Sequence, residues 1–210
     1  MLAAWGPIND LTNWLNDVAG NWWFLAVIFV IALLDSVIPV VPSETTVIIG
    51  GVAASSAGDA PYPVVFVIAV AAAGAFCGDN LSYQIGLRAS HLVQRRAARK
   101  ESTAKKLAWA HEQIEERGGL LLITARFIPG GRTLLTLSSG LTQQSQRWFS
   151  SWVAVAATIW ATYAAVLGFS FGSKFEDDHT TAFLLAFGAA LSITLLIEVV
   201  RFVRKKLASS

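Results

Sequence analysis

The chain has 210 residues, of which 54% are hydrophobic and only 14% are charged, and its formal net charge at pH 7 is +2. Soluble domains carry about a quarter of their residues as charged side chains, so this composition excludes an ordinary soluble protein and indicates an integral membrane protein. The length predicts one membrane domain with a few spans, and the single cysteine, Cys77, excludes an internal disulfide.

The first half of the chain has an amphipathic stretch followed by an apolar stretch that is broken near its middle. The amphipathic stretch has apolar residues at helical spacing, namely Ile8, Leu11, Leu15 and Val18. The apolar stretch 22–58 is interrupted by Pro39, Pro42, Ser43 and Glu44. Proline breaks the helical hydrogen-bond ladder, and broken backbone at membrane depth survives only when it is buried in protein or lines a wet cavity. We therefore predict a re-entrant helical hairpin at 22–58.

The second half follows the same order. A second amphipathic stretch contains Leu107, Ala110 and Ile114. The apolar stretch 119–146 is then interrupted by Arg126, Pro129, Gly130, Gly131 and Arg132. This pattern predicts a second re-entrant hairpin.

Uncharged runs at 60–78, 148–173 and 180–197 predict three full crossings, because about 20 apolar residues cross a bilayer as a helix. One crossing separates the hairpins, so they should enter the membrane from opposite sides. Pro39 precedes Gly50 by the same separation as Pro129 precedes Gly140, 90 positions later. Interrupted segments at corresponding positions are typical of inverted-repeat transporters with a site at the midplane.

We therefore expect an all-α, polytopic membrane protein forming a single membrane domain over 1–210. Its first repeat covers 8–87, and a cytoplasmic basic segment with an amphipathic helix covers 88–118. The second repeat covers 119–173, and a final crossing with a basic tail covers 180–206.

Basic residues are confined to a few regions. None precedes Arg88; most lie between 88 and 117 or in the tail, and Lys174 stands in an acidic loop. By the positive-inside rule the basic segment and the carboxyl terminus are cytoplasmic, and the loops at Asp59 and Asp177 face out. The hairpin interpretation places the amino terminus outside, whereas a complete crossing at 22–41 would reverse it. Such basic loops orient membrane proteins, so no nucleic acid partner is expected.

Four charges stand inside the broken stretches: Asp35, Glu44, Arg126 and Arg132. Each costs roughly 2.5 to 3.5 kcal/mol near the bilayer centre, so we predict that acids and bases form one site. Arginine presents a planar fork of donors that matches phosphate oxygens, so Arg126 and Arg132 are the predicted substrate-binding residues. Burial disfavours a charged carboxylate and a nearby arginine favours it, so Glu44, and next Asp35, are the predicted proton-coupling residues.

Other residues are predicted to support this site. They are Pro39, Pro42, Pro129, Gly130, Gly131, Asp79 and Tyr83. Asp79 and Tyr83 lie four apart on one helical face, where they would line an inner vestibule or hydrogen-bond to a neighbouring helix.

Three ordered motifs make the chain similar to a known family. Asp35-SVIPVVP-Ser43-Glu44 resembles acidic-x3-Pro-x2-Pro-x-acidic, Gly78-DNLSYQIG resembles Gly-Asp-x3-Tyr-x2-Gly, and ARFIPGGRTLLTLSSG resembles Arg-Phe-x-Pro-x2-Arg with a small-residue run. These are features of the DedA family of bacterial plasma-membrane proteins, and the resemblance runs from about Trp22 to Gly172.

The DedA family shares the VTT domain with eukaryotic lipid scramblases. The resemblance implies a transporter of a phosphate-headed lipid, foremost undecaprenyl phosphate, driven by proton motive force, with functional acids at Asp35 and Glu44 and arginines at Arg126 and Arg132. The family often has Glu at the first acid, and Leu87 separates Gly86 from Arg88 where the family often has them adjacent.

Several other interpretations stay open. They are a passive phospholipid scramblase, a proton- or cation-coupled exchanger, and a buried charge network with a purely structural role. An enzyme is disfavoured, because neither a lipid phosphatase's histidines nor a base to activate Ser138 or Ser139 stands in the site region. No cofactor is predicted, and no metal site, because His91, His111 and His179 are scattered. The oligomeric state, transport direction and substrate lipid are left undetermined.

Overall fold

The computed structural model describes residues 19–38, 43–55, 60–99, 101–127 and 131–174, and beyond these only 185, 188, 189 and 192. In that part of the chain every regular element is helical, which confirms the all-α prediction there. The helices are α1 (Trp23–Val37), α2 (Ser43–Ser55), α3 (Val64–Arg99), α4 (Glu101–Thr124), α5 (Gly131–Leu141) and α6 (Gln146–Gly172), and a 3-10 turn covers Ala125–Phe127.

Two of these helices are long and apolar enough to cross a membrane. They are the Val64–Arg96 part of α3 and the whole of α6, and they cover most of the predicted crossings at 60–78 and 148–173. The 36 residues of α3 span about 54 Å, well beyond the ~30 Å thickness of the hydrocarbon core. The predicted crossing at 180–197, the tail and the first amphipathic stretch lie outside the described residues.

Both predicted interruptions fall between helices. The 15-residue α1 is too short to cross a bilayer upright. It ends just ahead of Pro39, as expected because a residue before proline disfavours the α conformation. Directly after Pro42 in the sequence, α2 begins at Ser43, and α5 begins at Gly131 after the 3-10 turn. The first broken stretch is therefore a pair of helices. The second begins inside α4, which runs on from the predicted amphipathic stretch, and continues through the 3-10 turn into α5.

The chain forms two compact units. The first unit comprises Met1–Ile31, Pro42–Ala71 and Trp160–Ser210, and the second unit comprises Ala32–Val41 and Ala72–Ile159.

In the first unit, α2 packs closely against the carboxyl-terminal part of α6. Gly168 lies against the backbone of Ile48, and Gly51 lies against the backbone of Ala165. Small residues allow helices in a membrane to approach this closely. The fully buried side chains of this unit include Ile28, Val47, Ile48, Val67, Trp160 and Ala164.

In the second unit, α3 packs against the end of α1 and against α5. Gly78 lies against the backbone of Leu33, and Gly140 lies against the backbone of Tyr83. A buried apolar cluster of Tyr83, Leu122, Phe149 and Val153 joins α3, α4 and α6. The Tyr83 and Phe149 rings stack with centroids 4.6 Å apart, and the Tyr83 hydroxyl donates to the Gln144 carbonyl. Tyr83, predicted to support the site, therefore packs the core beside it.

Candidate functional site

Four charged side chains of the second unit lie together, buried among apolar helices. We call Asp35, Asp79, Arg126 and Arg132 the charged cluster. The side chains of Asp79 and Arg126 are each 1% exposed, and those of Arg132 and Asp35 are 10% and 11% exposed. Removing a charge from water costs several kcal/mol unless it is paired, so these groups must compensate one another.

The ion pairs link three helices and the 3-10 turn. Arg132 Nη2 lies 2.9 Å from Asp35 Oδ2, and Arg126 Nη2 donates to Asp79 Oδ2. Asp79 also faces the second arginine, since Arg132 Nε lies 3.7 Å from Asp79 Oδ1. With two guanidinium groups and two carboxylates, the charged cluster is formally neutral.

The backbone of Ser36 positions Asp35 beside the arginines. Its carbonyl accepts hydrogen bonds from Ser82 Oγ at 3.0 Å and from Thr133 Oγ1 at 3.3 Å. Ser82 lies on α3, one turn after Asp79, and Thr133 directly follows Arg132 on α5. These two hydrogen bonds connect the last turn of α1 to α3, which carries Asp79, and to α5, which carries Arg132.

The arginines flank the start of α5. Arg126 lies in the 3-10 turn, and Arg132 is the second residue of the helix. A helix amino terminus carries partial positive charge and favours anions. Two guanidinium groups at this end therefore create a strongly positive local potential. In this structure the carboxylates of Asp35 and Asp79 balance that charge. An oxyanion such as a phosphate would suit the same donors.

Three of the four charged residues predicted to form the site belong to this charged cluster, and Glu44 does not. Asp35, Arg126 and Arg132 come together as predicted, and Gly131 begins α5. The partner of Arg126, however, is Asp79, for which only a helix-packing or vestibule role was foreseen. The uncharged run ends at Gly78, which suggested the end of a crossing, whereas α3 continues 21 residues further. Four predicted supporting residues lie outside the described part: Pro39, Pro42, Pro129 and Gly130.

Glu44 lies in the first unit, in the first turn of α2. Its carboxylate accepts a hydrogen bond from the indole Nε1 of Trp160, at 3.3 Å. Trp160 is among the most buried large side chains of the described residues, at 1% exposed. Sequence analysis did not identify Trp160 as the partner of Glu44.

The alternatives involving metals or serine chemistry find no support in the described residues. No group of three or more His, Cys, Asp or Glu side chains there is arranged to hold a metal ion. The Ser139 hydroxyl is buried and donates to the Leu135 carbonyl at 2.9 Å. The following glycine is the packing contact with α3 described above.

Comparison with known proteins places the chain in a family. The family model of the VTT domain matches residues 18–170, which include the whole charged cluster and Glu44. The chain belongs to the VTT domain family. The resemblance to DedA proteins is thereby confirmed, and the protein is a membrane protein like its relatives.

The VTT relatives cover most of this chain at low identity. Protein DedA of Escherichia coli K12 is 24% identical over 193 residues, covering 90% of this chain and 86% of that protein. Undecaprenyl phosphate transporter A of Staphylococcus aureus is 26% identical over 190 residues, covering 86% and 91% respectively. An uncharacterised membrane protein of Synechocystis is 28% identical over 174 residues, covering 82% and 78%. No solved structure matches the chain.

Proposed function

We propose that this protein is a transporter, and not an enzyme, that moves a phosphate-headed lipid across the bacterial plasma membrane, with Arg126 and Arg132 binding the headgroup. The observation that carries the proposal is the pair of buried arginines at the start of α5, which pair with the carboxylates of the charged cluster. Ionisable groups at membrane depth are costly, and they commonly mark a transport pathway.

The lipid that we propose is a polyprenyl phosphate, foremost undecaprenyl phosphate. A relative that aligns over most of both chains carries that substrate in its name. The planar donor forks of two arginines suit a terminal phosphate, which exposes more oxygen atoms than the bridging phosphate of a phospholipid.

The acids are proposed to couple transport to protons. Glu44 is the first candidate and Asp35 the second. Asp35 pairs directly with Arg132, so its charge opposes that of an incoming phosphate. Glu44 accepts a hydrogen bond from the neutral N–H of Trp160, and in the part of the chain that the structure describes no arginine forms an ion pair with it, so proton exchange at Glu44 would leave the arginine pairs intact.

For the architecture we propose two re-entrant hairpins in an inverted repeat. In support, the helices on either side of each predicted break end and begin close to it: α1 and α2 in the first stretch, and α4 with its 3-10 turn and α5 in the second. In addition, α2 of the first half packs on α6 of the second half, and α5 of the second half packs on α3 of the first half. In both cases the second helix of a broken stretch packs on the crossing helix of the other half, as expected for two intertwined repeats.

The test is lipid movement by the purified protein in liposomes. Polyprenyl phosphate and phosphatidylethanolamine are compared, each with and without a pH gradient, beside protein-free liposomes. We expect polyprenyl phosphate to move faster than the phospholipid and faster still with the gradient. Equal movement of both lipids, unaffected by the gradient, would instead identify a passive scramblase.

A further inference from the structure

Asp79 is the carboxylate of the charged cluster that faces both arginines. Its Oδ2 accepts from Arg126, and its Oδ1 lies 3.7 Å from Arg132 Nε. That distance is too long for a hydrogen bond, although the charges still attract each other. In the described part of the chain, Asp79 Oδ1 and Arg132 Nε are both buried without a hydrogen-bond partner.

The Asp79 carboxylate therefore lies where an anion would bind both arginines, but it hydrogen-bonds to only one of them. A carboxylate has two oxygens and one negative charge, whereas a phosphate monoester offers three oxygens and up to two charges. A phosphate between the two arginines would accept a hydrogen bond from Arg132 Nε, which Asp79 leaves unsatisfied. It would also place an anion beside the Asp79 carboxylate, which would have to leave the arginines or take up a proton.

We propose that Asp79 is a displaceable internal counter-ion, which occupies the arginines in the empty transporter and is replaced by the lipid phosphate. This inference rests on the proposed function. Asp79 is thus a positioning residue that competes with the substrate. The groups facing it are Arg126 from the 3-10 turn, Arg132 from α5 and, through Arg132, Asp35 from α1.

The internal counter-ion has a defined purpose in a transport cycle. After the lipid leaves, the binding site must return empty, and an uncompensated arginine would make that step costly inside a membrane. Asp35 pairs with Arg132, and Asp79 supplies the second negative charge that keeps the cluster neutral during the return. Asp79 should therefore weaken phosphate binding and yet be required for net transport.

The first measurement is binding of farnesyl phosphate, a short polyprenyl phosphate, by calorimetry in detergent micelles, with farnesol as the uncharged control. We expect Asp79→Asn to bind farnesyl phosphate about tenfold more tightly than the natural protein, because the competing charge is gone. Glu112→Gln removes an exposed carboxylate from α4 in the same way and should leave binding unchanged. Unchanged or weaker binding by Asp79→Asn would overturn the proposal.

The second measurement compares net movement with exchange in liposomes. In the assay of net movement, polyprenyl phosphate is placed in one leaflet only. In the exchange assay, both leaflets contain equal amounts of polyprenyl phosphate, and only the lipid in one leaflet is labelled. Only net movement requires the empty return, so Asp79→Asn should slow it about tenfold while exchange continues. A purely structural role for Asp79 would reduce both rates together.

Removal of one partner of a buried ion pair is destabilising, so Asp79→Asn alone is at risk of not folding. The variant Arg126→Gln combined with Asp79→Asn keeps the charge balanced. It should bind farnesyl phosphate more tightly than Arg126→Gln alone, and equal binding by the two would refute competition by Asp79. If the natural protein binds farnesyl phosphate no better than farnesol, the proposed function itself is wrong.

Discussion

At the scale of single residues, the two site arginines differ from Arg147 in their surroundings. Arg126 and Arg132 are buried and donate to carboxylates, whereas Arg147 is exposed at the start of α6. Lysine preserves the positive charge but lacks the planar fork that holds two oxygens at once. Substituting lysine for Arg126 or Arg132 therefore tests whether binding requires the planar geometry of the guanidinium group or only its positive charge.

Changing either Arg126 or Arg132 to Lys should reduce polyprenyl phosphate transport about tenfold to a hundredfold. This corresponds to the loss of one charge-assisted hydrogen bond, worth about 1.5 to 3 kcal/mol. Flipping in liposomes measures the effect, and size-exclusion chromatography checks that each variant inserts and stays folded. Arg147→Lys is the matched control and should transport normally. Full transport by both buried variants would mean that charge alone suffices.

Glu44→Gln tests whether Glu44 carries the coupled proton. The glutamine oxygen still accepts from Trp160 Nε1, so the variant should fold with little change in thermal stability. Because the amide mimics a permanently protonated acid, farnesyl phosphate should bind normally while transport loses its response to a pH gradient.

Trp160→Phe is the control for this test, since it removes the donor to Glu44 and leaves the acid in place. It should keep a gradient response, although with reduced stability. If Glu44→Gln retains the normal response, proton transfer must be assigned to Asp35 or transport is passive.

At the scale of elements, the position of α5 depends on a close approach to α3. A Cβ added at Gly140 would meet the Tyr83 carbonyl well inside van der Waals contact and would lie 2.7 Å from Leu87 N. Both atoms belong to helical backbone, which cannot give way as a flexible side chain does. Since α5 carries Arg132 in its first turn, the contact between Gly140 and α3 also helps to position Arg132 in the charged cluster.

Gly140→Ala should therefore destabilise the protein. Alanine gains about 1 kcal/mol in helix propensity, but overpacking costs about 1 to 3 kcal/mol and is greatest against backbone. A lower midpoint of thermal unfolding in detergent is expected. Gly188→Ala is the matched control, because nothing lies within 4 Å of a Cβ there, and its midpoint should stay the same or rise. Equal midpoints for the two variants would contradict the packing of α5 on α3.

At the scale of the whole molecule, charge placement predicts the orientation in the membrane. After Cys77 is replaced by Ser, single cysteines near Asp59 and Asp177 should react with a membrane-impermeant maleimide in intact cells. Cysteines in 95–106 and in the tail should react only after permeabilisation, because positively charged segments stay in the cytoplasm. An externally labelled tail would invalidate the predicted topology.

The sequence by itself determined the membrane class, the family and the main helical segments. These follow from local properties of the chain, namely apolar run length, proline positions and charge distribution, and each acts within a few residues. The same local reasoning predicted one site of Asp35, Glu44, Arg126 and Arg132, because charges in apolar stretches must find partners, and Glu44 instead accepts a hydrogen bond from Trp160.

Only the tertiary structure decided which charges meet. Asp79 and Glu44 are both acids beside apolar runs, and nothing local distinguishes them as partners for Arg126. The packing of α3 against α1 and α5 brings Asp79 close to both arginines. The packing of α2 on α6 brings Glu44 within hydrogen-bonding distance of Trp160. Ion pairing between segments 47 residues apart depends on how helices pack, and that is set by close glycine contacts across the fold.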